Sequence, residues 1–185
     1  MTQMLDRLAR LIGTGTPVEV FRSKFETSGT LGYVVGVSPD VLLLHVIESN
    51  SLALNGYVAY RIEDITSYKI NDSFIGRAMR LSGQLPTIPP GINLSNMPSV
   101  MVSAADKYPL ITIATERKRP GAIFIGIIAH TSDTEVSIRK VCTKAHWRDP
   151  ERFKLKRISM VSFGDGYTRS LAALVKAQEL QGGNG

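Results

Sequence analysis

The chain of 185 residues has one cysteine, Cys142, so it can form no internal disulfide, and a reducing cytoplasm is the expected compartment. No apolar run approaches the roughly 20 residues that cross a bilayer as a helix. Met1 to Ile12 alternates apolar with charged residues and lacks the unbroken apolar stretch of a secretion signal. No membrane partner is therefore expected. The three histidines are scattered, and no serine or cysteine stands in a nucleophile elbow, so the chain does not read as an enzyme. Cys142 and His146 have ligand-like spacing and His130 could be a third ligand. Without a second cysteine they match no zinc pattern, and neither a metal nor another cofactor is expected. Gly13-Thr14-Gly15-Thr16-Pro17 lacks the lysine of a phosphate-binding loop and reads as a turn. Glu63 and Asp64 are adjacent, so on a strand they point to opposite faces. They fit a strand-end cap or partners of Arg61 better than an acid–base pair.

What is present is an internal repeat. Aligning Gly36 with Gly126 sets Gly32-Tyr33-Val34-Val35-Gly36-Val37 against Ala122-Ile123-Phe124-Ile125-Gly126-Ile127. Further on, Tyr60-Arg61-Ile62-Glu63-Asp64-Ile65-Thr66 runs against Phe153-Lys154-Leu155-Lys156-Arg157-Ile158-Ser159. The match continues through Asn71-Asp72-Ser73-Phe74 against Gly164-Asp165-Gly166-Tyr167. A shared order of short strands, a turn and a helix implies one small fold used twice.

The periodicities divide the chain into five parts. Residues 1–16 read as an N-terminal helix and turn, with Met4, Leu5, Leu8, Leu11 and Ile12 on one side. Residues 17–83 hold strands beginning at Val18, Tyr33, Val41, Tyr57 and Ile65, then a short helix with Phe74, Ala78 and Leu81 on one face. Residues 84–107 carry Pro86, Pro89, Pro90 and Pro98 and read as a linker. Residues 108–180 repeat the pattern, with strands at 110–114, 122–129, 135–142 and 153–163 and a closing helix. Residues 181–185 read as a disordered tail. Short strands joined by tight turns, with no helical crossover between them, predict small antiparallel barrels rather than a parallel sheet.

Asn55-Gly56-Tyr57, Arg61-Ile62-Glu63-Asp64-Ile65-Thr66 and the ending Ile158-Ser159-Met160-Val161-Ser162-Phe163-Gly164-Asp165-Gly166-Tyr167 carry a resemblance. The chain resembles a tandem of Sm-like or SH3-like small β-barrels, and also a group of bacterial proteins of unassigned function, over nearly all of Phe21 to Gln178. The resemblance implies a mainly β fold: two tandem small antiparallel β-barrels, each with a short helix, plus an N-terminal helix. Sm-like proteins bind RNA and form rings, but their base-clasping residues have no match here. Val41-Leu42-Leu43-Leu44-His45-Val46 carries no acidic–asparagine loop. Neither Ile65-Thr66-Ser67-Tyr68 nor Ile158-Ser159-Met160-Val161 carries an arginine–glycine pair.

Charge gives the best functional lead. The chain has a net charge of +6, yet residues 117–157 hold eleven basic and four acidic residues, a net +7, which leaves −1 for the rest. Such asymmetry points to an anionic partner. The expectation is a non-enzymatic binding module that takes RNA or another polyanion on a basic face of the second barrel. Arg117, Lys118, Arg119, Arg139, Lys140, Lys144, Arg148, Arg152 and Lys154 would contact phosphates, and Trp147, on a basic loop, would stack on a base. The alternative is a protein–protein interaction or assembly module without nucleic acid, using the free edges that small barrels offer to peptide strands or to copies of the chain.

Overall fold

A computed structural model describes residues 2–182. Within them lie ten strands and four α-helices: α1 (Thr2–Ala9), β1 (Pro17–Phe21), β2 (Thr30–Val37), β3 (Val41–Glu48), β4 (Ala53–Arg61), β5 (Ser67–Ile70), α2 (Phe74–Leu81), α3 (Met97–Ala105), β6 (Ile111–Ala114), β7 (Ile123–Thr131), β8 (Glu135–Val141), β9 (Trp147–Lys154), β10 (Met160–Phe163) and α4 (Gly166–Gly182). One-turn 3-10 segments, Ile62–Asp64 and Leu155–Arg157, follow β4 and β9. None of the described helices is long and apolar enough to cross a membrane.

The expected pair of closed barrels is not what forms. All ten strands join one open antiparallel sheet in the order β5-β1-β2-β3-β4-β10-β6-β7-β8-β9. The halves are joined by β4 and β10, whose register runs from Met160↔Tyr60 to Phe163↔Tyr57. A strand's alternation specifies which side chains are buried but not which chain segment supplies the next ladder. Here the edge of the first half is satisfied by the second, which leaves β5 and β9 as the outer edges.

Each half nevertheless has the same internal order: β5-β1-β2-β3-β4 in the first and β10-β6-β7-β8-β9 in the second. Their hydrogen bonds recur in detail. Thr66 donates to Phe21 O from its amide (2.9 Å) and its hydroxyl (3.0 Å), and Ser159 does the same to Ala114 O (3.0 and 3.2 Å). The amides of Phe25 and Glu26 turn back to Arg22 O as those of Lys118 and Arg119 turn back to Thr115 O. The structure corrects one pairing read from the sequence. Gly126 is equivalent to Gly32, not Gly36. A Cβ on Gly32 would meet His45 O at 2.7 Å, and one on Gly126 would strike the matching carbonyl of Arg139. Gly36 is small for another reason, because the side chain of Leu94 packs on it.

Three clusters hold the sheet. Under α1, Leu8 packs with Val18, Val20, Val34, Leu42, Leu44, Val58 and Tyr60. The largest cluster lies around α3 and joins the halves, with Tyr33, Val35, Leu43 and Ala59 from one side and Ile111, Ile113, Val136, Ile138, Val161 and Phe163 from the other. Neighbouring residues of β2 and β3 thus fall in different clusters, so both faces are covered and the run Val41-Leu42-Leu43-Leu44 need not alternate. The third cluster packs Leu171 and Val175 of α4 on Leu110, Val141 and Ala145.

The expected linker contains a core element. In α3, Met97, Val100, Met101 and Ala104 are at most 1% exposed, each large side chain contributing on the order of 1.5–3 kcal/mol by burial. Asn96 caps the helix by accepting from Ser99 N at 2.9 Å, with Pro98 in the first turn. Pro98 thus starts a helix rather than prolonging a spacer. On α2 the expected row does not face the core: Phe74 is 70% and Leu81 88% exposed and Ala78 is half-buried, while Met79 is buried. The expected single strand over 153–163 is two, β9 and β10, divided by the second 3-10 turn. Of the expected tail, Gln181 and Gly182 belong to α4, and residues 183–185 lie outside the described residues.

A buried ion pair also crosses the joint. Arg22 is 1% exposed. Its guanidinium lies 3.9 Å from the Tyr60 ring centre, donates to both oxygens of Glu116 (2.7 and 2.9 Å), and donates through Nε to Glu26 (2.9 Å).

Candidate functional site

The basic residues singled out from the sequence fall into three groups. The first is consumed by the fold. Arg117 crosses the joint to Asp64 and, at 2.9 Å, to Glu63. Arg119 and Lys140 both reach Glu151, each at 2.5 Å. Lys140 first and Arg119 second hold the Glu151 carboxyl below its ordinary range, against the opposing effect of burial. These pairs neutralise three of the nine cations locally; the more exposed ones, to Glu63 and Glu151, contribute only about 0–1 kcal/mol each, whereas the Asp64 carboxylate is buried.

The second group surrounds Trp147. The expected basic loop is the start of strand β9. The indole is half-buried against the α4 cluster. Its Nε1 donates to Glu179 at 2.9 Å, and the Arg139 guanidinium lies 4.9 Å from the ring centre. Arg139 thus stands over the ring that was expected to stack on a base. Lys144 and Arg148 are exposed nearby, and Lys144 O accepts from Gln178 of α4 at 3.3 Å.

The third group forms a cleft. Helical turning at 115–119 brings Lys118 and Arg119 beside the end of β9 and the 3-10 turn that follows it. The cleft has a volume of about 120 Å³, with buried Thr115 and Phe153 in its wall and Lys118, Arg119, Arg152, Lys154 and Arg157 around them. Glu135 is the one carboxylate in the lining. Among the described residues, Lys118, Arg152, Lys154 and Arg157 enter no ion pair. Alternation explains part of the clustering: Arg152 and Lys154 flank buried Phe153 and share the other face of β9.

Of the ten residues singled out, Lys118, Arg119, Arg152 and Lys154 come together here, whereas Arg117, Arg139, Lys140, Lys144, Trp147 and Arg148 line other surfaces. Thr115, Glu135, Phe153 and Arg157 were missed as lining residues. Arg157 had a usable signal, since the repeat sets it opposite Asp64.

A mostly apolar groove of about 320 Å³ lies between α3 and β7, lined by residues that include Val102, Tyr108, Ile111, Ile127 and Ile128, with Asp106 its one charged residue. No protein-family model matches the chain, and the comparisons with curated proteins and with solved structures returned no match.

Proposed function

We propose that this protein is a non-enzymatic binding module that takes RNA or another polyanion on the basic surface of its C-terminal half. The observation that carries the reading is the cleft beside β9, where four cations without carboxylate partners among the described residues surround a small concavity. Unpaired cations in a concave site displace the counterions that a phosphate chain carries, and the release of those counterions drives association. The surface is better suited to backbone contact than to base readout, because Trp147 is engaged by Arg139 and Glu179.

The test is fluorescence anisotropy of labelled single-stranded RNA at several salt concentrations. Binding should weaken with salt, with a slope of log affinity against log salt of about −0.7 for each phosphate that the surface neutralises on a single strand. Absence of binding at low salt retires the reading. A second reading, a docking surface for a protein partner, is favoured by the apolar residues exposed on and after α2: Phe74, Leu81, Leu85 at 74% and Ile88 at 64%. A stable complex lost on Leu81→Asp with RNA binding intact would favour it.

A further inference from the structure

The internal repeat supplies a second view of the basic cleft, because each of its residues has a counterpart in the first half. Thr115, Lys118 and Arg119 correspond to Arg22, Phe25 and Glu26 through their shared turn hydrogen bonds. Arg152, Lys154 and Arg157 correspond to Ala59, Arg61 and Asp64 through the strand register and the matching 3-10 turns.

That counterpart is filled, and by an anion. At the joint the Glu116 carboxylate enters it and is held by both terminal nitrogens of Arg22. Arg117 follows to meet Asp64. Arg61 closes the site from the other side by donating to Ile158 O (2.6 Å) and Leu155 O (3.0 Å). The first-half site is electrically balanced without its guest, since Arg22 and Arg61 stand against Glu26 and Asp64. In the second half Thr115 stands where Arg22 was, both acids have become cations, Arg157 and the Glu151-paired Arg119, and Lys118 and Arg152 stand where Phe25 and Ala59 were. Only Glu135 is acidic in that lining.

A second copy of the chain does not fit the open site. In it, Ser23 and Lys24 correspond to Glu116 and Arg117, so a copy would bring Lys24 against Arg157. The edge is also altered. Gly56, whose Cβ would lie 2.5 Å from Asp165 N across the joint, is replaced by Asp149. Tyr57, paired with Phe163 in the joint, is replaced by Pro150, which has no N–H to add to a ladder. Charge and proline on an outer strand oppose strand addition by any peptide.

From these observations we infer that the cleft of Lys118, Arg152, Lys154 and Arg157 is a seat for one backbone phosphate of a single-stranded polynucleotide, the electropositive counterpart of the seat that Glu116 occupies in the first half. This rests on the polyanion reading and localises it. Fork-shaped guanidinium groups of Arg152 and Arg157 suit a tetrahedral oxyanion, and the lysines add charge without fixed geometry.

The test compares two charge-matched double variants by anisotropy with labelled oligouridylate: Lys118→Gln with Arg157→Gln in the cleft, and Lys144→Gln with Arg148→Gln outside it. The cleft variant is expected to bind at least roughly tenfold more weakly, with a salt slope shallower by about 0.7 for each phosphate that is no longer neutralised. The outer variant should stay within about twofold of the parent. Arg152→Gln with Lys154→Gln, a second pair from the cleft, should repeat the first result. Equal losses from cleft and outer pairs would overturn the seat and leave a diffuse basic face. Failure of the unaltered protein to bind would overturn the polyanion reading and the seat with it.

Discussion

His45 shows how single residues in this fold are set by neighbours far along the chain. It sits on β3, 7% exposed, stacked 4.4 Å from Tyr57, and its Nδ1 accepts from Thr87 N at 3.2 Å. Burial lowers its pKa below the ordinary 6.5. The folded state then binds fewer protons than the unfolded state as pH falls through the unfolded value. Stability from this group is complete above about pH 6.5 and declines as the solution is acidified toward the folded pKa. The melting temperature should fall between neutral pH and about pH 5, and His45→Gln should flatten that part of the profile. An unchanged slope in the variant would assign the acid sensitivity elsewhere. The same dependence on distant neighbours limits a charge count. Arg117, Arg119 and Lys140 carry the charge that marked them, but their partners Glu63, Asp64 and Glu151 lie 11 to 54 residues away, and no local pattern announces such a meeting.

Among the elements, the joint strand β4 is the most demanding. Gly56 adopts φ +70°, and an added Cβ would lie 2.5 Å from Asp165 N and 2.7 Å from Phe163 O. Gly56→Ala should cost at least about 2 kcal/mol, combining left-handed strain with a backbone clash. Urea unfolding would measure it. Gly83, also at positive φ but with nothing within 4 Å of a Cβ, is the control, and its alanine variant should lose only about 1 kcal/mol. Most strands were legible from β-branched runs between turns. Two elements were hidden for physical reasons. In α3 one of the prolines that mark a spacer, Pro98, starts a helix, and the difference lies in the Asn96 cap and in burial against both halves. In β9 the alternation of Trp147 to Lys154 is masked, because an edge strand carries charge on its open face and tolerates Pro150.

For the molecule as a whole, the cluster around α3 draws on both halves, so they are expected to unfold as one cooperative unit. Trp147, the one tryptophan, reports on the second half, whereas far-ultraviolet circular dichroism reports on both. Denaturant unfolding followed by the two signals should give coincident midpoints. Separate midpoints would show that the halves unfold independently and that the shared cluster adds little. The sequence by itself determined the periodic quantities: short β-strands, turns, a unit used twice, and an excess of positive charge in residues 117–157. These depend on neighbours along the chain, and a repeat or a charge count is complete before folding. Only the tertiary structure decided how the edges pair, which cations are neutralised and which gather in a cleft. A strand edge offers the same amide and carbonyl groups to any partner, so closure within a half and joining across halves are written in the same residues. The choice is made by contacts between distant segments, Gly56 against Asp165 and Arg22 against Glu116.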